Sequence, residues 1–124
     1  MVLLRLHAAA AVVYVAAIVL QVFFAGTAIA NLGGSGDFAT HRDFGYTWIG
    51  LSAFAVFVTA LVARRPRADV GISAGLLLLY IVQTILPNMR ASAPWMAALH
   101  PVNALFLFAL AAWYARRALR AAMG

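Results

Sequence analysis

Residues 8–30 read AAAAVVYVAAIVLQVFFAGTAIA, a stretch with no charged side chain and a single amide, Gln21. Crossing the hydrocarbon core of a bilayer takes about 20 mostly apolar residues in a helix, so this stretch reads as a membrane span. Working outward, the chain repeats the pattern three more times. A glycine-rich segment, NLGGSGDFAT, separates the first span from a second that opens at His41 and closes near Ala63. The basic turn ARRPRAD leads to a third span over roughly 70–87, and PNMRASAP leads to a fourth over roughly 95–115. The apolar run before Ala28-Ile29-Ala30 has some likeness to a leader cleavage site, but it is longer than the 7–15 residues usual for one. The expected fold is therefore all-α: one integral membrane four-helix bundle occupying residues 1–124.

Composition supports this reading. Hydrophobic residues make up 66% and charged residues 10% of the chain, against about 25% charged in soluble domains. There is no cysteine, which excludes disulfides, thiolate metal sites and iron–sulfur clusters. The net charge of +6 comes from nine arginines with no lysine. Most of them sit at helix ends, and none forms a run long enough to track a phosphate backbone, so nucleic acid is not an expected partner. Arg5, Arg64, Arg65, Arg67, Arg116, Arg117 and Arg120 fall on one side, Arg42 and Arg90 on the other. Positive charge in short loops stays in the cytoplasm. Both termini are thus expected inside a bacterial inner membrane, with His41 and His100 near the outer face.

The two halves share a layout. In the first, Tyr14 and Gln21 precede His41; in the second, Tyr80 and Gln83 precede His100. This predicts two parallel helical hairpins related by a pseudo-twofold axis along the membrane normal, with the second and fourth helices facing each other. Helical spacing places Gly45, Trp48, Ser52, Ala55 and Thr59 on the face of His41, and Asn103, Ala104, Leu107, Ala111 and Tyr114 on that of His100. Glutamine is costly in lipid without a partner, so Gln21 and Gln83 are expected to point inward, either bridging helices or touching a ligand. His7, beside Arg5, reads as an interfacial residue.

Two imidazoles at one depth on facing helices fit axial ligation of a b-type heme. Phe23, Phe24, Phe44, Trp48, Leu105 and Phe106 are candidate apolar walls, with small residues Gly45 and Ala104 leaving room beside the rings. Arg42 and Arg90 are candidate partners for propionates. A catalytic zinc site lacks a third strong ligand on that side.

These residues also carry a resemblance. The His41-Arg42 pair opening helix two, and His100 ahead of Asn103-Ala104 opening helix four, resemble one half of heme A synthase. That family has two four-helix bundles in tandem, each with histidines on its second and fourth helices around a heme. The layout is also similar to a group of small four-span bacterial membrane proteins. The resemblance implies a heme-holding bundle with His41 and His100 as metal ligands. In the half of the synthase that performs chemistry, a glutamate stands three residues before the first histidine. Here that position is Phe38, which implies the cofactor-holding half rather than the hydroxylating one.

The expected function is a membrane cytochrome holding one heme b for electron transfer, with a quinone or a redox protein as partner, or for heme handling. The alternatives are a heme-free accessory subunit of a larger complex and a small transporter using Gln21, Gln83 and Asn103. A homo-oligomer is compatible with the apolar, small-residue surfaces, and enzymatic activity is left open.

Overall fold

The computed structural model describes all residues, Met1–Gly124. It is all-helical, with four helices long and apolar enough to cross a membrane: α1 (Val2–Ala28), α2 (Ala39–Val62), α3 (Arg67–Met89) and α4 (Pro94–Met123). The outer helices run further than the apolar runs alone indicate, because helical hydrogen bonding continues through the polar ends. Thus α1 begins six residues before Ala8, and α4 continues beyond Arg120. The segment expected as an outer loop is itself largely helical, with a tight 3₁₀ turn over Leu86–Met89 and a helical turn over Pro94–Ala97.

The helices pack in a ring. α1 lies against α2 and α4, and α3 lies against the same two, while the diagonal pairs make no close backbone approach. Close packing is possible because the buried side chains are small: nine of the 20 buried residues are alanine. Small residues let helix backbones approach in a medium that offers no hydrophobic drive for association. The core is completed by Tyr14, Ile18, Ile49, Val56, Leu76, Leu107 and Tyr114. Large apolar side chains such as Leu20, Phe54, Leu78, Leu105 and Phe106 cover the outside, as a surface solvated by lipid tails requires.

Helix α2 is not a uniform α-helix. Gly45–Ile49 form a π-helical turn, which inserts one extra residue into the face count. The buried stripe below it is Ile49, Ala53, Val56 and Ala60. That is one residue later than Trp48, Ser52, Ala55 and Thr59, the stripe that regular α spacing predicts.

The turn between α2 and α3 is closed by backbone geometry. Arg64 adopts a left-handed conformation with φ 51°, and the Arg65 amide donates back to the Ala60 carbonyl at 2.9 Å. This is the Schellman arrangement that usually carries glycine at the left-handed position. Arginine there costs about 1–2 kcal/mol. The return it secures is the placement of Arg65, whose side chain is only 10% exposed.

Candidate functional site

His41 stands in the first turns of α2 and His100 near the start of α4, on diagonally opposed helices. Their rings meet across the bundle axis, with centroids 6.2 Å apart and planes inclined by 74°. With metal–nitrogen bonds of about 2.0 Å, two imidazoles on opposite sides of one metal have ring centres roughly 6 Å apart.

Each ring is held by the glutamine of the preceding helix. His41 Nδ1 lies 3.0 Å from the Gln21 backbone oxygen, and His100 Nδ1 lies 3.0 Å from that of Gln83. A carbonyl only accepts, so both Nδ1 atoms carry the hydrogen and both Nε2 atoms keep a free lone pair. Donation of one ring nitrogen to a carbonyl is the arrangement that orients metal-bound histidine. The glutamine amides then face those lone pairs: Gln21 Nε2 is 3.4 Å from His41 Nε2, and Gln83 Nε2 is 3.2 Å from His100 Nε2. The shorter contact is a hydrogen bond; the longer one is weak, and the Gln21 amide donates better to the His41 carbonyl, at 2.8 Å.

Gly45 makes room for this. A Cβ at that position would stand 2.6 Å from Gln21 Nε2. On the other side, Asn103 Nδ2 donates to Gln83 Oε1 at 2.6 Å and to the Leu79 carbonyl at 3.0 Å. Gln21 Oε1 is buried without a donor, because the residue three beyond His41 is Phe44.

No carboxylate enters the pair. Phe38 packs edge-to-face on His41, with ring centroids 6.1 Å apart. Asp37 accepts from the Ala39 amide at the start of α2, and Asp43 pairs with Arg42 at 2.9 Å. No group of three or more histidine, cysteine or acidic side chains converges anywhere in the molecule. The arrangement suits a centre that needs two axial nitrogens and does not suit a tetrahedral metal site.

The third histidine lies at the opposite end and is not interfacial. His7 is 1% exposed, with Nδ1 3.0 Å from Thr59 Oγ1 and Nε2 3.0 Å from the Tyr114 hydroxyl. Tyr114 donates on to the Asp69 carbonyl at 3.1 Å. The Asp69 carboxylate is fully buried and takes Arg65 at 2.5 Å and Arg117 at 2.6 Å. All four helices contribute to this network.

A family model described as a family of unknown function, DUF6220, matches residues 21–90, more than half of the chain. The chain belongs to the DUF6220 family. No curated protein and no solved structure matches it. In this DUF6220 member, the matched segment begins at Gln21 itself and includes His41, Asp69 and Gln83, while His100 lies beyond it.

Several residues of the DUF6220 chain that were expected around the rings are elsewhere. Trp48 is 59% exposed, because the π turn rotates it off the inner face. Phe23, Leu105 and Phe106 point outward too; Phe24 and Phe44 pack on each other with ring centroids 5.1 Å apart, and the aromatic ring against His41 is Phe38. Arg42 is committed to Asp43 and exposed, and Arg90 is exposed beyond the 3₁₀ turn; neither is held against the histidines. Ala104 is half-buried beside His100. The Asp69 network was missed altogether. Its one sequence signal is the spacing of Arg65 and Asp69, four residues apart, with Asp69 the only carboxylate at the arginine-rich end.

Proposed function

We propose that this DUF6220 protein is a b-type membrane cytochrome holding one heme between His41 and His100. The observation that carries the reading is the paired geometry: two imidazoles with ring centroids 6.2 Å apart, each oriented by a backbone carbonyl so that Nε2 is the acceptor. Bound there, heme would supply a one-electron couple. The residues of the chain would do the rest: the Gln21 and Gln83 carbonyls fix the tautomers, and His41 and His100 would both hold the iron, leaving no open position on it. That last point favours electron transfer, with a quinone or a redox protein as partner, or heme handling, over oxygen chemistry. Phe38 in place of an acid argues in the same direction. The likeness to the cofactor-holding half of heme A synthase is part of this proposal.

The matched Gln–His units also support two hairpins, α1–α2 and α3–α4, related by an approximate twofold along the bundle axis. The arginine distribution supports both termini lying in the cytoplasm of a bacterial inner membrane. A reporter fused after Gly124 should read as cytoplasmic and one inserted at Ser35 as external; the reverse would put the histidines on the inner side.

Absorption spectroscopy of the purified protein, oxidised and dithionite-reduced, tests the cytochrome directly. A sharp Soret band with resolved α and β bands is expected from bis-imidazole, low-spin iron. His41→Ala and His100→Ala should each abolish the low-spin spectrum, and His7→Gln should leave it intact. One specific observation favours a rival: each glutamine amide already faces the lone pair of its histidine, so the pair is also a self-contained latch. In that reading the protein is a heme-free accessory subunit, and it will stay colourless even with added hemin.

A further inference from the structure

The arginine-rich end holds a second feature that the cytochrome reading does not use. Arg65, Arg116, Arg117 and Arg120, with Trp113 and Ala121, line an open recess of about 640 Å³ between the α2–α3 turn and the end of α4. One side-chain carboxylate stands at this end, and it pairs with only two of the four guanidinium groups. Asp69 is fully buried beneath the recess and is divided between Arg65 and Arg117. The chain has only two other acids, Asp37 and Asp43, and both flank His41 at the far end.

The shortage is visible at atomic level. The Arg65 side chain is nine-tenths buried, and its Nε has no acceptor. A buried charged group with an unmet donor is costly. Arg117 is preorganised: its Nε is fixed on Asp69 and its guanidinium carbon lies 5.9 Å from the centre of the Trp113 ring. A guanidinium anchored through Nε keeps its outer N–H groups available for a second, bidentate acceptor. Arg116 and Arg120 are exposed and make no ion pair.

We propose that this recess binds a phosphate-bearing anion, seated between the Arg65–Arg117 pair and the free Arg116 and Arg120. Phosphate matches the fork of arginine and its charge completes what Asp69 leaves uncompensated. The position at the end of the membrane spans makes an anionic lipid headgroup one source of that phosphate; a soluble phosphate is the other.

The test uses the full chain in detergent. Bound phosphatidylglycerol and phosphatidylcholine are counted by native mass spectrometry, and inorganic phosphate is titrated separately by thermal shift. Two double variants are compared: R116Q/R120Q in the recess, and R5Q/R67Q at the same end but outside it. None of these four side chains makes a hydrogen bond that holds the fold, so both variants should elute as the wild type does. Phosphatidylglycerol retained in preference to phosphatidylcholine, with affinity falling roughly tenfold or more in R116Q/R120Q and little in R5Q/R67Q, supports the site with lipid as source. Stabilisation by inorganic phosphate with the same dependence on Arg116 and Arg120 supports it with a soluble anion as source. Equal loss in the two double variants would show a diffuse surface charge and overturn the proposal, as would retention of neither anion.

Discussion

The two ends of the bundle use histidine in opposite ways. At one end His7 has both ring nitrogens committed, to Thr59 and Tyr114, and sits over an aspartate clamped by two arginines. At the other, His41 and His100 each give Nδ1 to a backbone carbonyl and keep Nε2 as an acceptor faced by a glutamine amide. A ring bonded on both sides is a structural strut. A ring anchored at Nδ1 by a backbone carbonyl, with only a glutamine amide facing Nε2, keeps that second nitrogen as an acceptor. Residue identity does not separate the cases; the partner of each nitrogen does.

The largest effect that can break this contrast is at the closed end. Asp69→Asn leaves Arg65 and Arg117 without a counter-charge, and breaking a buried ion pair costs about 3–5 kcal/mol. A drop of that size is expected in detergent unfolding, with any heme spectrum unchanged in the protein that remains folded. A small loss would mean that the network is not the strut described.

At the open end, smaller and unequal effects are expected. Replacing either glutamine by leucine should cost about 0.6–2 kcal/mol, with Gln83→Leu near the top of that range and Gln21→Leu near the bottom. Gln83 links His100 to Asn103, whereas Gln21 carries a buried Oε1 with no donor, whose removal offsets part of the loss. Both variants keep the carbonyl that fixes the histidine tautomer, so a heme spectrum should survive. Its loss would make the glutamine side chains part of the ligand site.

The smallest effect concerns Gly45. An added methyl displaces the flexible Gln21 amide, while alanine is the better helix former. Gly45→Ala should therefore stay within about 0.5 kcal/mol of the wild type in thermal unfolding. A larger cost would show that the Gln21 amide is held in place more firmly than its single 2.8 Å bond to the His41 carbonyl indicates.

Four spans were legible in the sequence because membrane insertion depends on local apolar length, which one segment carries by itself. The Gln–His repeat was legible too, since both members of each pair lie on consecutive helices at similar spacing. The face of α2 was not. Regular spacing assigns Trp48 to the interior, and a single π turn at Gly45–Ile49 moves the whole stripe by one residue. At that turn α2 meets α3, where Tyr80 donates to the Tyr46 carbonyl at 3.1 Å and leaves room for no side chain at Gly50, a contact between distant segments that local spacing does not carry.

The sequence by itself determined that the chain is all-helical, that it has four membrane-length segments, and that its arginines gather at one end, because each follows from composition along a single stretch. Only the tertiary structure decided what each histidine nitrogen meets. His7 meets Thr59, Tyr114 and the Asp69 network across separations of up to 107 residues, and His41 meets His100 across the diagonal of the bundle. Whether an imidazole nitrogen is satisfied depends on groups brought to it by other helices, and no local pattern in the chain records that.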